Sequence, residues 1–286
     1  MTEKSQASNE LKQQQRLDWD SAAAGWKQWW SVFEHAAQHV SDRLVDLAQV
    51  RSGARVVDLA TGIGEPAITA ARHVGTAGRV VAIDQSPGML AVARERAAAL
   101  GLANLEFRVG DIESLEAEEH GFDSGLCRWG LMFVPDLDSA ARGIRRALKA
   151  GALFATAVWS SPDKVPMISL GGDAMRRIAG LPPRQPGALD PFRLADVTIL
   201  TRALEGAGFS EIRSEPVEVA FEFASADEFT RFRVDVSSPL RAVLERCTPA
   251  MREQIMRATV EAAALYQRAD GSLRLSNLSI CIAARA

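Results

Sequence analysis

The sequence predicts a doubly wound α/β fold: a mostly parallel seven-stranded sheet preceded by a helical preface and partly covered by a helical lid. Three observations predict it. Short β-branched runs recur at nearly even intervals, alanine- and leucine-rich stretches of helical period separate them, and a glycine-rich turn directly follows the first run. Strands alternating with helices build right-handed crossovers, which place any ligand at the carboxyl ends of the strands.

Taken in order, residues 1–10 are polar and expected to form a disordered tail, and residues 11–50 form the helical preface. Trp19, Trp26 and Trp30 fall at intervals of seven and four, so they share a helix face with Phe33. The strands follow at 54–59 ("ARVVDL"), 78–84 ("GRVVAID"), 105–111 ("LEFRVGD"), 122–128 ("FDSGLCR") and 152–159 ("ALFATAVW"). Between them, 88–101 and 138–151 have helical period, and each is expected to stop on its closing glycine, Gly101 or Gly151. Residues 160–200 interrupt the repeat with a helical piece, "VPMISLGGDAMRRIAG", and a proline-rich turn, "LPPRQPGALDPF", and read as a cover over the strand ends. A helix over 195–208, a strand near 216–223, helices over 226–268 that extend the cover and a final strand to 286 complete a single domain spanning 11–286.

Composition narrows the function classes. In a chain of 286 residues, 33 basic against 36 acidic side chains leave a net charge of −3, which attracts neither nucleic acid nor a membrane surface. Cys127, Cys247 and Cys281 are widely separated and match no metal or redox spacing, so a reduced cytoplasmic protein without a structural metal is expected. No secretory leader and no apolar run long enough to span a bilayer is visible. The expected partners are a small-molecule acceptor and, at most, a second copy of the chain.

The turn "VVDLATGIGEPA", residues 56–67, fits two chemistries. Its "GIGEPA" portion has the G-x-G-x-x-A spacing of a dinucleotide turn, with Asp84 following Gly64 by 20 residues at the end of the second strand, which alone would indicate NAD and an oxidoreductase. The same turn preceded by "VVDLAT" also fits the one that holds S-adenosylmethionine (SAM). Gly62 and Gly64 serve both readings, because either ligand needs a tight turn and close backbone approach. Asp58, four residues before Gly62, and Asp111 in "VGDIESL" separate the two and favour SAM.

On these residues the sequence resembles the class I SAM-dependent methyltransferases, and within them the small-molecule branch that includes the ubiquinone and menaquinone biosynthesis methyltransferases. The resemblance covers roughly residues 50–160 and extends to "FDSGLCRWGLMFVPD" and "ALKAGALFATAVW". It implies a SAM site built from Asp58, Ala60, Thr61, Gly62 and Gly64 on the turn, Asp84, Gln85 and Met89 after the second strand, and Asp111 with Ile112 around the adenine. Asp84 would take the ribose hydroxyls. Two such charge-assisted hydrogen bonds are worth about 1.5–3 kcal/mol each. The lesser alternative for Asp111 is a cap on the turn that follows it, and Asp58 could equally serve the loop backbone alone. Ala60 stands where the family often has glycine, and Ala150 and Ala152 replace a proline and a glycine before the fifth strand.

Methyl transfer is a displacement on an activated sulfonium, so alignment and exclusion of water are the main tasks. The resemblance places the preface over the donor, where Trp26 could meet the sulfonium by cation–π attraction while Trp30 walls an apolar acceptor. The bland alternative is that these rings only pack the preface onto the domain. Arg128 and Trp129 at the end of the fourth strand, with Met132 and Phe133, face the same cleft by the doubly wound geometry, Arg128 on the donor side. Met167 and Phe192 would reach it from the cover. Some relatives carry a histidine before the Pro-Asp pair; here that place reads Met132 and Phe133, which leaves alignment alone or, as candidate general bases, His35 and His39 of the preface. The expected product is S-adenosylhomocysteine, with O-methylation slightly ahead of C- or N-methylation. A family member that binds SAM without methylating is the other alternative.

Overall fold

A computed structural model of the chain describes residues 3–115, 119–183 and 189–286, with backbone alone for residues 3–9. The preface is one helix, α1, Glu3–Leu47, so helix runs through most of the segment expected as a tail, residues 1 and 2 lying outside the description. Its buried positions, among them Ala22, Trp29, Phe33, Ala37, Val40 and Leu44, form a continuous stripe at three- and four-residue spacing. A helix this long holds because that stripe is covered along its length.

Behind it come β1 (Arg55–Leu59), α2 (Ala67–Val74), β2 (Arg79–Asp84), α3 (Pro87–Ala99), β3 (Leu105–Val109), β4 (Phe122–Arg128), α4 (Leu137–Ala147) and β5 (Leu148–Trp159). The cover contributes α5 (Pro166–Ile178). Then follow α6 (Val197–Gly206), β6 (Ser210–Phe223), α7 (Ala226–Val236), α8 (Ser238–Arg246), α9 (Pro249–Ala263) and β7 (Leu273–Arg285). The proline-rich turn expected over 181–192 falls partly on residues 184–188, outside the described residues.

The seven strands lie in the order β3-β2-β1-β4-β5-β7-β6, parallel except for β7, which runs antiparallel to both β5 and β6. The order reverses between β1 and β4, so the crevice beyond their carboxyl ends is the switch point of the sheet. Central strands are buried on both faces, which is why β1, β2 and β4 read as apolar runs rather than alternating ones.

Two boundaries differ from the sequence reading. α4 ends at Ala147 and not at Gly151, because Leu148 already pairs with Phe122 in the sheet, and Gly151 sits within β5 at φ +79°. β6 begins at Ser210, six residues earlier than its alternation suggested, since it pairs with β7 along nearly its whole length. α5, α7 and α9 pack on one another, and α1 contacts α7, α8 and α3. No helix among the described residues is long and apolar enough to cross a membrane.

Candidate functional site

The turn after β1 is built by backbone conformation. Ala60, Gly62 and Gly64 all have positive φ, +53°, +55° and +109°. A side chain on Gly64 would meet Ile68 Cδ1 at 2.9 Å and Ala93 Cβ at 3.3 Å, so this glycine lets α2 and α3 close on the turn. Gly62 is different, since nothing lies within 4 Å of where its Cβ would be. That open space is where a ligand can approach the backbone. Ala60 carries a side chain in a left-handed conformation, a strain of about 1 kcal/mol that explains why glycine suits this position. Its methyl fits because Gly130 lacks one: a Cβ there would collide with Ala60 Cβ.

Asp58 is fully buried, and its Oδ2 accepts from the Ala67 N–H at 3.0 Å, tying β1 to the start of α2. Burial pushes its carboxyl up to about 8. The backbone alternative for Asp58 therefore has a concrete partner. Glu65, which the sequence reading passed over, is also buried and accepts from the Thr69 hydroxyl at 2.6 Å, with Arg96 at 3.6 Å.

Asp84 joins the second strand to the turn. Its Oδ2 accepts from Gly62 N–H at 2.8 Å and its Oδ1 from Ser86 N–H at 2.9 Å. Backbone N–H groups thus use part of the carboxylate's acceptor capacity, and the remainder is open to a ligand hydroxyl. Burial raises its pKa to about 6. Gln85 is half-buried and Met89 buried beside it. Asp111 accepts from Glu113 N–H at 2.9 Å, which is the turn-capping geometry, and also from Lys12 Nζ of α1 at 2.8 Å, with Ile112 buried next to it.

α1 crosses these strand ends and contributes aromatic rings. Trp26 stands edge-on to Phe33 at 4.8 Å, Phe33 edge-on to Trp129 at 5.7 Å, and Trp129 stacks on Trp159 at 4.3 Å. Trp19 meets Phe133 at 5.3 Å. Met132, Met167 and Phe192 are buried, Met167 with its N–H on Asn277 Oδ1.

Four of the expected site residues, Trp30, Arg128, His35 and His39, lie elsewhere than expected. Trp30 is 41% exposed, with the Arg96 guanidinium 4.8 Å from its ring, because the buried stripe of α1 runs between Trp26 and Trp29 and leaves Trp30 at its edge. The inward ring is Trp29, whose Nε1 donates to Asp235 Oδ2 at 2.8 Å. Arg128 points into α1, where its guanidinium forms two bonds with Glu34, at 2.6 and 2.8 Å, and others with Ser41 and the Ala37 carbonyl. Its charge is already satisfied. His35 and His39 are exposed, and His39 Nε2 donates to the Glu218 carbonyl of β6 at 2.7 Å, so neither joins the ring cluster.

Sequence reasoning also missed Glu34, Asp20 and Lys12. Only Glu34 carried a signal, an acid adjoining Phe33 within an otherwise apolar stripe.

The residues fit a SAM-like ligand at one further point: Trp26 Nε1 is buried without a hydrogen-bond partner, on a ring packed against Ile63 of the turn and Met89. Such an orphaned donor is rare in a finished core and suits a site completed by a polar ligand.

A family described as a methyltransferase domain matches residues 50–175. Over these residues the chain is similar to that methyltransferase domain. The methyltransferase domain is similar to the ubiquinone/menaquinone biosynthesis C-methyltransferase UbiE of Pseudomonas putida, 39% identical over 119 residues, which cover 41% of this chain and 46% of that protein. The match thus spans about half the length of that curated relative. In structure the chain is similar to the YcgJ protein of Bacillus subtilis, with a TM-score of 0.55 and 18% identity over 87% of this chain and 98% of that one. It is also similar to the [4+2]-cyclase SpnF, with a TM-score of 0.54 and 23% identity over 88% of this chain and 81% of that one. At these identities the likeness shows the fold.

Proposed function

We propose that the chain transfers a methyl group from SAM to a small, apolar, aromatic acceptor. The observation that carries the reading is the Asp84 carboxylate bound to the Gly62 N–H at the β1/β4 switch point, with open space over Gly62, inside a matching methyltransferase domain. Bound SAM supplies a methyl group already activated on a sulfonium. In this reading the chain's residues do the rest. Asp84 accepts the ribose hydroxyls, the N–H groups of the glycine turn face the methionine end, and Asp111 with Ile112 frames the adenine. α1 excludes water, and the Trp26 ring stands ready for the sulfonium.

For the accepting atom we favour carbon over the oxygen that the sequence alone suggested. A phenolic oxygen benefits from a general base, and both candidate histidines are exposed, His39 being held on β6. An electron-rich aromatic carbon needs mainly alignment, and the curated relative is named a C-methyltransferase. The cyclase among the structural relatives supports a second reading, a SAM-binding chain whose chemistry is not methyl transfer.

A turnover panel tests this. SAM is incubated with phenols, quinols, enolisable carbonyl compounds and amines, and S-adenosylhomocysteine release is followed together with the methylated atom by mass spectrometry. Release with a quinol and a new carbon–methyl bond is expected. Stabilisation by SAM without release on any acceptor would favour the second reading, and stabilisation by NAD alone would refute both.

A further inference from the structure

We infer that Asp20 of α1 is a positioning residue for the cofactor site, coupling the seating of α1 to the carboxylate of Asp84; this rests on the reading that Asp84 receives the ribose of SAM. Asp20 lies outside the matched domain, on α1. Its Oδ1 accepts from Ser86 Oγ at 2.5 Å and from Gly88 N–H at 2.9 Å. Ser86 in turn donates its N–H to Asp84 Oδ1, and Asp84 Oδ2 holds Gly62. A continuous chain of hydrogen bonds therefore runs from α1 through the first turn of α3 and the end of β2 to the glycine turn.

A second observation concerns shape. A side chain on Gly88 would meet Asp20 Oδ1 at 3.1 Å and Ala23 Cβ at 3.3 Å, so α1 sits this close only because residue 88 has none. Around the contact, Ala22, Ala23, Ile63, Met89 and Val92 form their own apolar cluster, joined by Trp19 and Trp26. The same contact that seats α1 therefore also packs it on Ile63 of the turn. Asp20 orients Ser86, Ser86 orients Asp84, and α1 closes over the result.

The charges facing Asp84 give a readout that a merely structural contact would not move. From α1 it faces Asp20, and from the turn and the residues before α3 it faces backbone N–H groups; Asp111, past the end of β3, is paired with Lys12. Asp84 is held high first by burial and further by the like charge of Asp20. It must be ionised to accept two hydroxyls, so binding weakens as pH falls through about 6. Removing the charge of Asp20 lowers that midpoint.

The experiment is calorimetric titration of the full chain with SAM and with S-adenosylhomocysteine from pH 5 to 8, for wild type, Asp20→Asn, Asp20→Ala and Gly88→Ala. Asp20→Asn keeps an acceptor oxygen for Ser86 and Gly88, so affinity at pH 8 stays within about twofold while the midpoint moves to lower pH. Asp20→Ala loses roughly tenfold at pH 8, the scale of a lost charge-assisted hydrogen bond. Gly88→Ala also loses affinity, without touching a charge. An Asp20→Asn midpoint equal to that of wild type, or Asp20→Ala and Gly88→Ala affinities equal to it, would overturn the inference while leaving the cofactor reading intact. A folded wild type that binds neither ligand overturns the cofactor reading itself, and the inference with it.

Discussion

Replacing Glu34 by alanine removes the carboxylate that holds Arg128, and the structure sets the size of the effect. The two side chains are 6% and 5% exposed and joined by two bonds, at 2.6 and 2.8 Å. Burial works against the charge on Arg128, yet Glu34 with the neighbouring acids more than offsets it and holds the guanidinium above its ordinary pKa. Without Glu34 the cation keeps only Ser41 Oγ and the Ala37 carbonyl as bonded partners, with Glu65 acting at longer range. Breaking a buried pair by removing one partner costs about 3–5 kcal/mol, and the distant Glu65 favours the lower end. About 3 kcal/mol corresponds to a fall in Tm of roughly 6–12 °C for a domain of comparable size. Thermal and urea unfolding followed by tryptophan fluorescence at pH 7.5 measure it. The double replacement Glu34→Leu with Arg128→Met should recover most of the loss, because two apolar side chains replace a charge that needed a partner. A Glu34→Ala loss below about 1 kcal/mol, or a double variant less stable than Glu34→Ala, would refute the reasoning.

Three further outcomes are expected. Asp84→Ala should weaken SAM binding at least roughly tenfold by calorimetry, and unchanged affinity would remove Asp84 from the site. The Asp58 carboxyl is raised to about 8 in the folded chain, above its unfolded value, so the native state binds the extra proton and stability should fall as pH rises from about 4 to about 8. Asp58→Asn, which can still accept from Ala67, should flatten that slope in urea titrations at pH 5, 7 and 9, and an unaltered slope would show that Asp58 is not its source. Trp26→Ala should impair SAM binding more than Trp30→Ala, since Trp30 is exposed beside Arg96 while Trp26 packs on the glycine turn; equal effects in a paired titration would contradict that placement.

The alternation of strands and helices, the glycine turn and the acids at the strand ends were legible in the sequence because each is written in neighbouring residues. A β-branched run, a helical period or a G-x-G spacing needs no knowledge of what lies across the fold. The same locality explains why the stop of α4 was misplaced, since pairing of Leu148 with Phe122 overrode the glycine at 151. Side-chain destinations were a different matter. Trp30 shares a helical period with Trp19 and Trp26, but the phase of the buried stripe is set by α3, α7 and the sheet, and these turn Trp29 inward. Arg128 ends a strand beside the crevice, yet a buried guanidinium must find a carboxylate, and the one available lay 94 residues earlier on α1. Asp20, 66 residues before Ser86, was invisible for the same reason. The sequence by itself determined the order of strands and helices and the glycine turn that lies at the β1/β4 switch point. Which residues of α1 close over it was decided only by tertiary packing, because the partners of a buried charge and the inward face of a helix depend on segments far away along the chain.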